Sequence, residues 1–315
     1  QVLGLNISSA FNSAVTVYVL IPLLLIPQMI LSGLLFSFDK LNNLISTQGK
    51  VPVVADLMAS RWAYEALAVH QYVENSYQKP FYLFEKIEAT TDFKSSFLVS
   101  ELDKKRKYVF EHRTDTRDSV RSIVEKDIAI IQSTLLDNHY QEGIKDALSK
   151  TWTPETFTPE FNDKLDQFLQ AFKKYYQEAY NRAVQQREAS VFKMEEASGG
   201  SINQAKNRYY NESLADLVRN VNTKSRILEH NGELLQQINP IYVDPNPKGL
   251  LDYRTHFFAP QKNLFGARVS TFGFNLLVIW MMTLLLYVTL YFEWLRKFIQ
   301  SFDTFASRIN KRGKG

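Results

Sequence analysis

The chain has 315 residues, with 37 Lys and Arg against 33 Asp and Glu, a net charge of +4 and a mean hydropathy of −0.23. That average suits a soluble protein but hides a mixture, because apolar residues concentrate toward the two ends while Tyr77 to Arg268 is rich in Lys, Glu, Asp and Asn. No cysteine is present, which excludes a disulfide framework, a thiolate zinc site and a thiol nucleophile.

From Ala10 to Phe36 no residue carries charge, and at 1.5 Å per residue such a run is long enough to cross a hydrocarbon core of about 30 Å. It lacks the basic leader and the cleavage site of a signal peptide, and the missing initiator Met is expected of a piece of a longer protein. Pro22 and Pro27 fall inside this span and predict bends, each removing an amide donor. In lipid such defects call for a protein or water-filled neighbour, so this face turns toward a partner helix or a pathway. Asn12, Ser13 and Thr16 share the same helix and also prefer the protein side, either as interhelical hydrogen-bonding groups or as substrate contacts.

Ser37 to Pro52 reads as loop. Val53 to Val73 then shows Leu57, Trp62, Ala66, Val69 and Val73 at helical spacing with charges between them, as in an amphipathic helix at a membrane interface. Within it Arg61 and Glu65 stand at i and i+4, in reach of an ion pair.

From about Pro80 to Phe265 a water-soluble domain is expected. Phe81 to Val99 has room for a strand or two, a long helix is predicted over Glu101 to Leu136, and Pro154 and Pro159 mark a break. Phe161 to Ala197 and Ile202 to Ile238 read as two long helices joined at Ser198-Gly199-Gly200-Ser201. Phe161, Leu165, Phe168, Leu169, Phe172, Tyr176 and Tyr180 form one apolar stripe along the first of them. The alternating charges from Asp103 to Lys126 predict a solvated helical face. The prolines between Asn239 and Phe265 predict extended or turned chain.

A second apolar run, Val269 to Leu295, uncharged until Glu293 near its end, predicts the other span, with Thr271 and Asn275 as polar groups facing protein and Asn275 a further pathway candidate. After it come Arg296, Lys297, Arg308, Lys311, Arg312 and Lys314 against Asp303 alone. A basic cluster there keeps the tail in the cytoplasm and puts residues 37–268 on the other side, without implying nucleic acid. The fold class expected is therefore mainly α, with two transmembrane helices, an outer amphipathic helix and a large outer helical domain.

No Gly-x-x-x-x-Gly-Lys-Ser/Thr loop, His-Glu-x-x-His helix or Gly-x-Ser-x-Gly elbow occurs, so neither an ATP site nor a catalytic residue is expected in this chain. The His-x-x-Glu pairs His139/Glu142 and His230/Glu233 read as solvated faces rather than metal ligands.

Three stretches carry a resemblance: Gly4-Leu5-Asn6-Ile7-Ser8-Ser9-Ala10, then Ile21 to Gln28 with Leu31-Ser32-Gly33-Leu34-Leu35, and Ser60-Arg61-Trp62-Ala63-Tyr64-Glu65-Ala66-Leu67. They resemble the penultimate helix and following outer helix of G-subfamily-like ABC transporter membrane domains. The enlarged outer segment is closest to the layout of bacterial, Bacteroidetes-like members with a large periplasmic loop. The resemblance implies an inner-membrane homodimer exporting substrate along its axis, with ATP and Mg on a cassette outside this chain and a periplasmic partner for the outer domain. By the same resemblance Leu34 and Leu35 become gate candidates, as a hydrophobic valve at the outer end of the pathway, and Pro22 and Ile26, further inward on the same helix, become candidates for lining it. The competing reading is a two-span sensor or scaffold subunit whose outer domain binds a ligand or partner.

Overall fold

The structure, a computed structural model, describes residues 1–11, 13–35, 38, 49–198, 202–247, 249–250 and 252–301. In chain order its elements are α1 (Val2–Ala10), α2 (Ala14–Ile30), a 3-10 turn (Val53–Leu57), α3 (Ala59–Val73), α4 (Tyr82–Asp92), a π-helical turn (Phe93–Leu98), α5 (Val99–His112), α6 (Asp118–Leu136) and α7 (Lys145–Leu148). There follow a 3-10 turn (Pro154–Thr156), α8 (Pro159–Ser198), α9 (Ile202–Tyr209), α10 (Glu212–Val218), the hairpin β1 (Ile227–His230) and β2 (Glu233–Gln236), and a 3-10 turn (Pro240–Tyr242). The hairpin β3 (Gln261–Leu264) and β4 (Ala267–Ser270) then leads into α11 (Thr271–Tyr291). The protein is mainly helical, as its composition predicts. Its contacts divide it into two compact units, one made of Gln1–Leu67, Pro247–Arg254 and the residues from Gln261 onward, the other of Ala68–Asn246 and Thr255–Pro260.

In the first unit, α11 is the one described helix with both the length and the apolar character to cross a membrane. Only its first two turns contribute buried residues, Thr271, Phe274 and Asn275, while Trp280, Met281, Leu284, Leu285 and Tyr291 stand open. It begins two residues later than the uncharged run, because Val269 and Ser270 belong to β4 and the Ser270 hydroxyl caps the helix by accepting from the Gly273 amide at 3.2 Å.

The run from Ala10 to Phe36 is not one helix. α1 ends where Phe11 turns extended, and α2 resumes at Ala14 for 17 residues, passing through both Pro22 and Pro27. Asn12 lies outside the described residues. α2 stops at Ile30 because Ser32 donates to the Met29 carbonyl at 2.7 Å and accepts from the Leu34 amide at 3.1 Å, while Gly33 adopts φ +80°. Glycine just past a helix end takes this left-handed backbone without a Cβ clash.

The second unit is built on a core of Leu102, Val109, Ile128, Ile131, Leu135, Phe157, Leu165, Leu169 and Phe172, drawn from α5, α6, α8 and the turn that leads into α8. Thr158 accepts from the Phe161 amide at 3.2 Å and Pro159 takes the first helical position, a strong start for the 40-residue α8. Its stripe from Leu165 to Tyr176 is buried at the expected spacing, whereas Tyr180 is 37% exposed.

Three expectations for this unit are corrected. Phe81 to Val99 contains no strand: α4, the π turn and α5 form one continuous helical run, its aromatic residues serving the core. The helix expected over Glu101 to Leu136 is two, broken at Arg113–Arg117, where the Asp115 carboxylate accepts from the Arg117 amide and stops the helix from continuing. Ile202 to Ile238 is two short helices and a hairpin. Its turn is Asn231-Gly232, both at positive φ, the dipeptide that two-residue hairpin turns favour. In that hairpin His230 pairs with Glu233 across strands instead of along a helix.

Nor are the charges of α5 wholly solvated. Lys105 is buried and donates to both Asp127 and Glu229 at 2.6 Å, and Arg106 is buried against Asp103, Asn162 and Asp166.

Candidate functional site

The first half of α3 carries two charges on one face, Arg61 and Glu65, and both lie inside the first unit, 2% and 0% exposed. The apolar residues around them, Trp62 and Ala66, are also buried, so α3 here is a core helix. Neither ion could stay there alone, since an unpaired buried charge costs several kcal/mol or more.

Two later segments supply partners. Lys262, from the middle of β3, donates to Glu65 Oε1 at 3.0 Å. Asn275, from the second turn of α11, donates to Glu65 Oε2 at 2.8 Å and to the Trp62 carbonyl at 3.0 Å. Arg61 stands 3.6 Å from Glu65 and 3.7 Å from Asp56, and its guanidinium covers the Trp62 ring at 3.8 Å. Arg254 completes the group, with Nη2 donating to the Val51 carbonyl at 2.5 Å and Nε 3.7 Å from Asp56. Among the described residues, Arg61 Nε and Nη1, Arg254 Nε and Asn275 Oδ1 are buried with no hydrogen-bond partner.

The charge balance is uneven around Glu65. Burial pushes its carboxyl up, but Lys262, Arg61 and the hydrogen bonds from Asn275 and Lys262 outweigh it and hold the group below the usual carboxylate range. Burial pulls the Lys262 ammonium down, Glu65 opposes this, and Arg61 adds to the lowering, as expected where two cations share one carboxylate. Asp56 is pushed up by burial against the pull of Arg61, Arg254 and Lys262. An ionised, acceptor-only Glu65 sealed from solvent is poorly suited to general acid work. The arrangement is a joint that locks α3, β3 and the start of α11 together.

Beside it lies a groove of about 490 Å³ lined by Val53, Val54, Asp56, Leu57, Trp62, Tyr253, Phe274 and Val278. Its floor is aromatic, with the Tyr253 and Phe274 rings stacked at 5.9 Å and Trp62 tilted against both at 6.5 and 6.0 Å.

At the other end of α11, Asn6 of α1 is 3% exposed. Its Nδ2 donates to the Leu286 carbonyl at 2.9 Å and its Oδ1 accepts from the Thr289 hydroxyl at 3.1 Å. Ser60, at the start of α3, donates to the carbonyl of Gln28 near the end of α2 at 2.7 Å.

The structure thus unites Arg61, Glu65 and Asn275, which the sequence offered as separate features. It does not bring the remaining candidates to them: Pro22 and Ile26 are exposed, Thr16 is half-buried on α2, and Leu34 and Leu35 lie beyond the end of that helix, 60% and 51% exposed. Sequence reasoning missed Lys262, Asp56 and Arg254. Nothing in the local pattern marks them, and only the turn at Phe265-Gly266 hints that Lys262 sits in a strand. Among the described residues no group of three or more His, Cys, Asp and Glu gathers as a metal site. Comparison with protein-family models, curated proteins and solved structures finds no match to this chain.

Proposed function

We propose that this chain is the C-terminal part of the membrane domain of an ATP-driven ABC exporter. Two crossings of the bilayer flank an outer helical domain, and the chain works as a dimer with ATP and Mg held on a cassette. The observation that carries the two-crossing arrangement is the pair of polar contacts at opposite ends of α11. Asn6 meets Leu286 and Thr289, while Gln28, through Ser60 and the α3 joint, belongs with Asn275. Between those contacts α11 advances about 16 Å, about half of a hydrocarbon core of roughly 30 Å, and the return of the chain from Asn6 to Gln28 beside that stretch supports a second crossing. Its 17-residue α2 has no buried side chain and carries two prolines, which suits a helix facing lipid and other membrane helices. The words shared with G-subfamily-like membrane domains supply the transport reading, in which Leu34 and Leu35 are the gate, placed just past α2 where a hydrophobic constriction excludes water.

The test is biochemical. Protein affinity-purified from its native membrane is expected to carry ATPase activity from a P-loop cassette, in the same polypeptide or a tightly bound one. Purification with no nucleotide-binding polypeptide at all overturns the exporter reading. One observation favours a sensor instead, a cavity of about 530 Å³ in the second unit, of mixed lining, where His112, Arg113, Asp115, Arg121 and Glu155 stand beside Val124 and Phe157. That reading predicts the same purification to yield no ATPase.

A further inference from the structure

The groove beside the ionic joint has a composition that the joint does not explain. Val54 and Leu57 lie three residues apart on a 3-10 turn, where i and i+3 side chains eclipse, so together they form one lip. Phe274 and Val278 lie one turn apart on α11 and form the opposite wall. The lip residues Val53, Val54 and Leu57 are 61%, 45% and 73% exposed, an unusual concentration of bare aliphatic surface. The wall continues into Leu277 and Met281, exposed apolar residues of the only described helix able to span a membrane. The groove therefore opens onto the surface that the membrane reading assigns to hydrocarbon.

Its one acid, Asp56, is already engaged by Arg61, Arg254 and Tyr253, so it offers little to a polar ligand. Water is a poor filler, since a stable buried water needs two to four polar partners. An unfilled groove would leave the aromatic floor with no atoms to contact on one side, forfeiting dispersion energy. A volume of about 490 Å³ falls within the size range of ligand sites.

We propose that this groove holds one acyl chain of a membrane phospholipid, taken from the leaflet at the N-terminal end of α11. The proposal rests on the membrane reading above. The chain lies between the 3-10 lip and α11, over Trp62 and Tyr253, and acts as part of the packing that seats α11 against α3.

Trp62 on the groove floor and Trp280 on the open face of α11 are the reporters. Intact protein is reconstituted in bilayers containing phosphatidylcholine brominated along its acyl chains, in two versions: one keeps Trp62 and replaces every other tryptophan, Trp152, Trp280 and Trp294 among them, by Phe; the other keeps Trp280 and replaces every other, Trp62, Trp152 and Trp294 among them, in the same way. Trp62 emission is expected to be quenched and to reach its plateau at a lower fraction of brominated lipid than Trp280. Filling the groove with Val278→Phe, or with Leu57→Phe should the first disturb folding, is expected to abolish quenching of Trp62 and spare Trp280. Quenching of Trp280 without Trp62, or of Trp62 unaltered by filling, overturns the groove assignment alone. Quenching of Trp62 by a brominated free fatty acid but not by the phospholipid overturns the choice of ligand. If Trp280 is not quenched, the membrane reading itself fails.

Discussion

Lys262 Nζ and Glu65 Oε1 meet at 3.0 Å although 197 residues separate them, and neither side chain reaches solvent. The pair closes the loop of chain that contains the whole second unit, and Asn275 fastens it to α11 through the other carboxylate oxygen. Removing one partner of such a group strands the others. Glu65→Ala leaves Lys262 and Arg61 buried beside each other and is expected to cost about 3–5 kcal/mol. Asn275→Ala removes a neutral donor and is expected to cost about 1–3 kcal/mol. Denaturant midpoints of the protein in detergent give the comparison, and an equal loss for the two variants refutes the ranking.

The proposed topology is accessible because these 315 residues hold no cysteine to mask an introduced one. Ser225→Cys, on an exposed position of the outer unit, should react with a membrane-impermeant maleimide in intact cells with a permeable outer envelope. Lys297→Cys, past α11, should react only after lysis. Labelling of both positions, or of neither, before lysis contradicts residues 37–268 being outside.

The outer unit depends on α8. Phe172 is fully buried among core residues, so Phe172→Ala should destabilise by about 3–5 kcal/mol. Phe192, on the same helix, is 60% exposed, and its alanine variant should stay within about 0.5 kcal/mol of the parent. Thermal melts followed by circular dichroism measure both, and equal effects would contradict the assignment of the buried face.

Acid should loosen the same unit at the Lys105 cluster. Hydrogen bonds from Lys105 and Lys126 hold the Glu229 carboxyl below its ordinary value. A carboxylate with a depressed folded pKa stabilises the fold fully above about pH 4.3, the ordinary glutamate value, and loses that contribution as the pH falls through the depressed one. For Lys105, burial lowers the ammonium but its hydrogen bonds to Asp127 and Glu229 win and raise it, so its contribution fades only in strong base. Glu229→Gln should therefore lower stability at neutral pH and narrow its gap from the parent in acid. A gap independent of pH excludes the mechanism.

Local signals were legible wherever one residue type dictates one backbone or one face. The stripe of α8, the break marked by Pro154 and Pro159, the apolar run of α11 and the Arg61/Glu65 spacing are of that kind. Asn231-Gly232 was an equally local signal, outweighed by apolar residues on either side that also fit a helical period. Lys262 belongs to a different class. Its burial follows from a partner almost two hundred positions away, which no window of sequence contains, and Lys105 and Arg106 read as solvated for the same reason.

The π turn at Phe93–Leu98 keeps α4 and α5 in phase with different neighbours. Each residue in an α-helix turns the chain by about 100°, so the wider turn sets α5 at an azimuth that an uninterrupted helix would not reach. Were the same residues wound as ordinary α-helix throughout, Lys105 and Arg106 would swing by about 100° away from their carboxylates, whereas losing one residue such as Ser96 would remove the wide turn and leave both facing them. An inserted codon, by contrast, would rewire the domain's interior while leaving its helical content almost unchanged.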